Sequence, residues 1–97
     1  MQMLVICDTA DIIDVPEFVI NDRKLYRRRF RKWLENKSVK HKYWVTNNDG
    51  SKSLCFRTDA FVEWLNKKIL SDVEETAIMI AENVNMDAYK HLQSTWF

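Results

Sequence analysis

Ten Lys or Arg side chains fall between Arg23 and Lys42 against a single acid, Glu35, and among them Leu25, Tyr26, Phe30, Trp33 and Leu34 recur at helical spacing. A segment of this kind has few ways to fold. Its apolar stripe must face a core, which leaves the bases between the stripe positions around the exposed side of a helix. Asn21 or Asp22 supplies an N-cap. The spacing therefore predicts a helix from about residue 23 to 34 with a basic outer surface.

The charge is concentrated there. Residues 23–42 carry +9, the remaining residues hold five bases and thirteen acids and carry −8, and the chain as a whole is +1. A molecule polarised in this way steers and holds an anionic partner on one side. Arg makes bidentate contacts to phosphate and guanine, and five of the ten bases are Arg, so nucleic acid is the natural ligand, DNA ahead of RNA. The candidate contacts are Arg23, Lys24, Arg27, Arg28, Arg31, Lys32, Lys37, Lys40 and Lys42, with Lys52 in the hairpin described below. Arg29 is set aside as bordering the core. Tyr26, Phe30, Trp33, Tyr43 and Trp44 interleave with the bases and could stack on unpaired bases. Their helical and alternating spacing favours core packing instead.

At 97 residues, with a hydrophobic share of 46% that includes five Phe, four Trp and three Tyr, the chain reads as a single domain, 1–97, with enough apolar surface to build a core. Cys7 and Cys55 are too few for a disulfide scaffold and are expected to be reduced thiols. No long apolar run and no export signal is present, so a cytoplasmic, intracellular protein is expected, with no membrane association. His41 and His91 with the two cysteines show no metal-ligand spacing, so no metal and no cofactor is expected. There is no glycine-rich phosphate loop, Gly-x-Ser-x-Gly or other catalytic constellation, and an enzyme is not expected.

Along the chain, Met3 to Cys7 reads as a strand, with Asp8 or Thr9 capping a short helix through Ile13. Pro16 opens a helical turn to Ile20. Beyond the basic helix, Tyr43–Thr46 and Ser51–Phe56 read as the strands of a hairpin turning at Asp49-Gly50, where the only glycine sits. Thr58 caps a helix with Phe61, Val62, Leu65 and Ile69 on one face and Trp64 beside it, running to about Leu70. Ser71-Asp72-Val73-Glu74 fits a capping box. It would open a further helix with Val73, Ala77, Ile80, Ala81 and Val84 in one stripe, and a last helical segment carries Met86, Tyr89, Leu92, Trp96 and Phe97.

A basic helix, an aromatic-bearing hairpin and then Phe56-Arg57-Thr58-Asp59-Ala60-Phe61-Val62-Glu63-Trp64-Leu65 resembles the winged helix-turn-helix of phage and transposon excisionases and of MerR-type regulators. The resemblance covers about residues 3–70. It implies that the helix Arg23 to Trp33 enters the major groove, that the hairpin tip Asn47 to Lys52 is a wing touching the backbone or minor groove, and that Asp59 to Ile69 closes the core. The fold expected is thus α+β, mainly helical, a winged helix-turn-helix-like core at 3–70 with a helical C-terminal extension at 71–97.

The function this points to is that of a small DNA-binding protein of a phage or mobile element, an excisionase-like regulator that neutralises the nucleic-acid backbone through the basic helix and the wing. Residues 71–97 would serve a homodimer or a protein partner. The alternative is a phage counter-defence or immunity-type inhibitor whose basic face blocks an acidic or nucleic-acid-binding protein surface.

Overall fold

The computed structural model describes residues 1–7, 9–36, 44–54 and 57–97, with the backbone alone described at Val45 and at 52–54. The elements, in chain order, are β1 (Gln2–Cys7), β2 (Thr9–Asp14), α1 (Glu17–Asn21), α2 (Arg23–Glu35), β3 (Trp44–Thr46), β4 (Lys52–Leu54), α3 (Thr58–Trp64), β5 (Ile78–Ala81) and β6 (Ser94–Trp96). A π-helical turn, Leu65–Ile69, extends α3, and a 3₁₀ turn, Met86–Tyr89, lies between β5 and β6.

Four strands form one mixed sheet in the order β5-β2-β1-β6, with β1 and β6 parallel and the other neighbours antiparallel. Strands β3 and β4 form a separate two-stranded hairpin. The Leu4-Val5-Ile6 run is apolar throughout because β1 is covered on both faces. Met3 and Val5 join Ile13 and Val15 in the larger core, against Phe30 and Leu34 of α2 and Ala60, Phe61 and Trp64 of α3. Leu4 and Ile6 join Ala10 and Ile12 on the other face, under Ala81, Val84, Tyr89 and Leu92. The molecule is therefore layered, with helices, then sheet, then the segment between β5 and β6.

Two expectations are overturned here. The first concerns residues 9–13, which form β2 and not a short helix. Its four central residues are all buried, each β2 residue lies opposite one on β1 from Gln2↔Asp14 to Cys7↔Thr9, and Ala10 and Ile12 face one side while Ile13 faces the other. The second concerns the last quarter of the chain. The capping box at Ser71–Glu74 opens no helix, residues 71–77 are irregular, and 71–97 is no helical extension, because it supplies both edge strands of the main sheet. The fold is accordingly a small α+β sandwich built on a mixed sheet, not a mainly helical winged helix-turn-helix.

The physical reason lies in long-range partners. Asn66, in the π turn, accepts from the Ala77 amide through Oδ1 at 2.7 Å and donates Nδ2 to the Ala77 carbonyl at 3.0 Å. Ala77 is thereby held extended where a helix would need its amide for an internal bond. The β-branched Ile78 and Ile80 then continue as strand, and Met79 pairs with Ile13.

The α1 turn, the start of α2 and the hairpin fall where the sequence placed them. Pro16, at φ −59°, precedes α1, and Asp22 alone separates α1 from α2, its carbonyl accepting from both Leu25 and Tyr26. The hairpin pairs Trp44↔Leu54, Val45↔Ser53 and Thr46↔Lys52 and turns through Asn47–Ser51, with Gly50 at φ +85°. Thr58 opens α3 but does not cap it, since its hydroxyl donates to Asp11 instead of accepting a helix amide. The carboxyl end packs through Phe97, whose ring meets Phe30 at 5.5 Å and Phe61 at 5.2 Å between centroids, while Trp96 stays half exposed. Cys7 carries a thiol, and Cys55 lies outside the described residues. Among the described residues no helix is long and apolar enough to cross a membrane.

Candidate nucleic-acid interface

Helix α2 divides its bases between two jobs. At 100° per residue, Phe30 and Leu34 point into the core, and Arg23 and Arg27 fall within about 60° of them. Both are partly buried, and both bond to the far end of the chain. Arg23 donates Nε to the Ser94 carbonyl at 2.9 Å, Nη1 to the Ile20 carbonyl at 2.9 Å and Nη2 to Gln93 Oε1 at 3.0 Å. Arg27 donates Nη1 to the Trp96 carbonyl at 2.5 Å, and its buried Nε meets no acceptor.

The match is geometric. In β6 the Gln93 carbonyl accepts from the Leu4 amide and the Phe97 amide donates to the Ile6 carbonyl, so the intervening alternate residues, Ser94 and Trp96, present their carbonyls to the outer edge. Those carbonyls repeat at roughly 6.6 Å along a strand, and side chains one helical turn apart repeat at about 6 Å, so Arg23 and Arg27 meet the pair together. The two arginines cover a sheet edge that would otherwise invite another strand. Arg23 and Arg27 are thus structural donors, correcting the expectation that they join the exposed basic surface.

The remaining bases of α2 face solvent. Lys24, Arg28 and Lys32 form one row along the helix, Arg31 lies on one side of it and Arg29 on the other, and all five are exposed. Each step of the row advances about 6 Å along the axis. Glu35 is the one acid in this arc and sits 3.5 Å from Arg31, an exposed pair of little energetic weight. Arg29, set aside on sequence grounds, belongs to the surface. Its helical angle, 100° short of Phe30, was the available signal. Lys37, Lys40 and Lys42 lie outside the described residues, and only the backbone of Lys52 is described, at the start of β4.

The aromatic side chains of α2 turn inward. Phe30 is fully buried, and Tyr26 and Trp33 pack against the same core. Phe30 stacks on Trp33 at 6.2 Å and meets Phe61 edge-on at 5.3 Å.

The hairpin tip has the wrong sign for a phosphate contact. Asp49 Oδ1 accepts from the Ser51 hydroxyl at 2.6 Å and from the Ser51 amide at 2.9 Å. These bonds, the hydroxyl first, hold the exposed Asp49 carboxyl below its ordinary pKa, so it stays ionised at neutral pH.

A polar cavity of about 330 Å³ opens where β1 ends and β2 begins, lined in part by Cys7, Asp11, Arg57, Thr58, Asp59 and Glu82. Its buried Asp11 accepts from Thr58 Oγ1, from the Asn83 amide at 2.9 Å and from Thr9 Oγ1 at 3.4 Å. Arg57 pairs with Asp59 at 2.8 Å. These groups answer one another and read as structural. Among the described residues no group of three His, Cys, Asp or Glu side chains is placed to hold a metal ion.

Comparison with protein-family models, with curated proteins and with solved structures gives no match.

Proposed function

We propose that this protein binds the phosphate backbone of duplex DNA, with little sequence preference, through the outer face of α2, acting inside the cell as a small DNA-binding regulator. The observation that carries the reading is the exposed set Lys24, Arg28, Arg29, Arg31 and Lys32 on one 13-residue helix, opposed by Glu35 alone. Five cations in one arc, repeating with the helical turn, suit neutralisation of a regular polyanion. The inward turn of Phe30, Tyr26 and Trp33 supports a duplex over single strands, which are usually held by exposed stacking rings. The hairpin tip, with its ionised Asp49, takes no part in the contact. The excisionase role rested on the winged fold, and without that fold the proposal keeps only backbone binding.

A mobility-shift titration at two salt concentrations tests it. Five phosphate contacts give a slope of log affinity against log salt of roughly −4.5. Failure to shift duplex DNA at micromolar protein in low salt, or a slope near zero, overturns the reading and favours a protein target for the same face.

A further inference from the structure

We propose a second binding surface, on and around β5, whose occupant is the outer face of α2 from another copy of this chain. Its apolar centre is Ile78 and Ile80, 52% and 47% exposed, with Val73 at 42% just before them. They account for three of the seven large hydrophobics exposed among the described residues, and they fall within eight consecutive positions. Exposed acids accompany them, Glu74 and Glu75 between Val73 and Ile78 and Glu82 just after Ile80, with no base between residues 69 and 89.

The backbone of this edge offers little to an added strand. Asn66 already holds the Ala77 amide and carbonyl, and the β2–β5 register shifts between Ile12 and Ile13, leaving Ile80 as the extra residue of a bulge. A partner must therefore engage side chains, and its surface must be basic around an apolar middle. The chain carries such a surface. On α2, Leu25, expected from its spacing to face the core, is partly buried but outside it and lies between Lys32 and Arg29 on the helical wheel, with Arg28 beyond Lys32.

The two surfaces lie on different elements of one copy, so the contact is heterologous and joins copies head-to-tail, as an open chain or a closed ring. A contact resting on a few apolar side chains and on opposite charge associates weakly and depends on salt. It needs no nucleic acid, and a bound duplex would compete for α2.

Sedimentation velocity without nucleic acid, on the full chain up to sub-millimolar concentration, decides the matter in salts of about 25 and 500 mM, between which the Debye length falls from roughly 20 Å to about 4 Å. Association at low salt that weakens at least about tenfold at high salt is expected. Glu74→Lys/Glu75→Lys and Arg28→Glu/Lys32→Glu should each be monomeric, and mixing them at low salt should restore association, since the native surfaces they retain fit each other and the two reversed surfaces are again opposite in charge. A monomeric wild-type chain at low salt, association indifferent to salt, or a mixture that associates no more than its components would each overturn the proposal. None of these outcomes alters the duplex-binding reading, which is measured by salt-dependent shift of DNA.

Discussion

Arg27 Nη1 donates to the carbonyl of Trp96 at 2.5 Å, tying the basic helix to the last strand of the sheet. With Arg23 on Ser94, it means that two of the arginines most prominent in the sequence hold the fold together and lie apart from the outer face. Replacing Arg27 with Met, which keeps most of the stem, should destabilise the protein by about 1 kcal/mol, the scale of one hydrogen bond whose exposed carbonyl is left to water. Denaturant unfolding measures it, and amide exchange over 94–97 should accelerate. A cost as small as that of the exposed Arg28→Met, within about 0.5 kcal/mol of zero, would show the bond to be idle.

The outer face behaves oppositely. Lys24→Glu/Arg28→Glu/Lys32→Glu should leave the circular-dichroism spectrum and unfolding midpoint nearly unchanged while reducing the magnitude of the salt slope of duplex binding by about 3. A folded triple variant with wild-type affinity and slope would remove α2 from the interface.

Asn66→Ala strips Ala77 of both its hydrogen bonds and should cost about 1–3 kcal/mol, with faster exchange at Ala77 and through β5. If the variant is as stable as the parent, Asn66 is not what holds this stretch extended.

Thr58→Val removes one of the donors to buried Asp11 at nearly constant volume, and a loss of roughly 1–2 kcal/mol is expected from urea unfolding. An unchanged midpoint would mean that water replaces the hydroxyl.

At the hairpin tip, Asp49 should titrate below an ordinary aspartate in a carboxyl-detected NMR experiment, and Ser51→Ala should move its midpoint up, because the hydroxyl is the first cause of the depression. Since the folded pKa lies below the unfolded value, the carboxylate's support of the turn is complete above the unfolded pKa and is lost as pH falls through the folded one. An unmoved midpoint in Ser51→Ala would remove the hydroxyl as the cause.

What the sequence made legible was local. The 3.6-residue stripe of α2, the Asp49-Gly50 turn and the start of α3 each depend on neighbours a few positions away. The β2 run was harder, since apolar residues at 10, 12 and 13 fit a helical turn as well as a strand, and only β1 opposite them decides. In 71–84 the stripe and capping box favoured a helix, yet Asn66 and Ile13 impose extension from elsewhere in the chain. The interface was half legible for the same reason. A helical wheel separates core from surface, but the carbonyls that draw Arg23 and Arg27 inward belong to residues near position 95, which no local pattern reveals.

The parallel pairing of β1 with β6 sets Leu4, Val5 and Ile6 against Ser94, Thr95 and Trp96. Nearly the whole chain forms the loop that this pairing closes, so its ordering entropy must be met before the contacts that reward it exist. On the ribosome, Leu4 and Ile6 would wait, partly uncovered, until residues 94–96 had left the exit tunnel. The sheet should therefore be completed only once β6 has emerged, and a nascent chain stalled short of residue 94 should be far more protease-sensitive than one that carries β6.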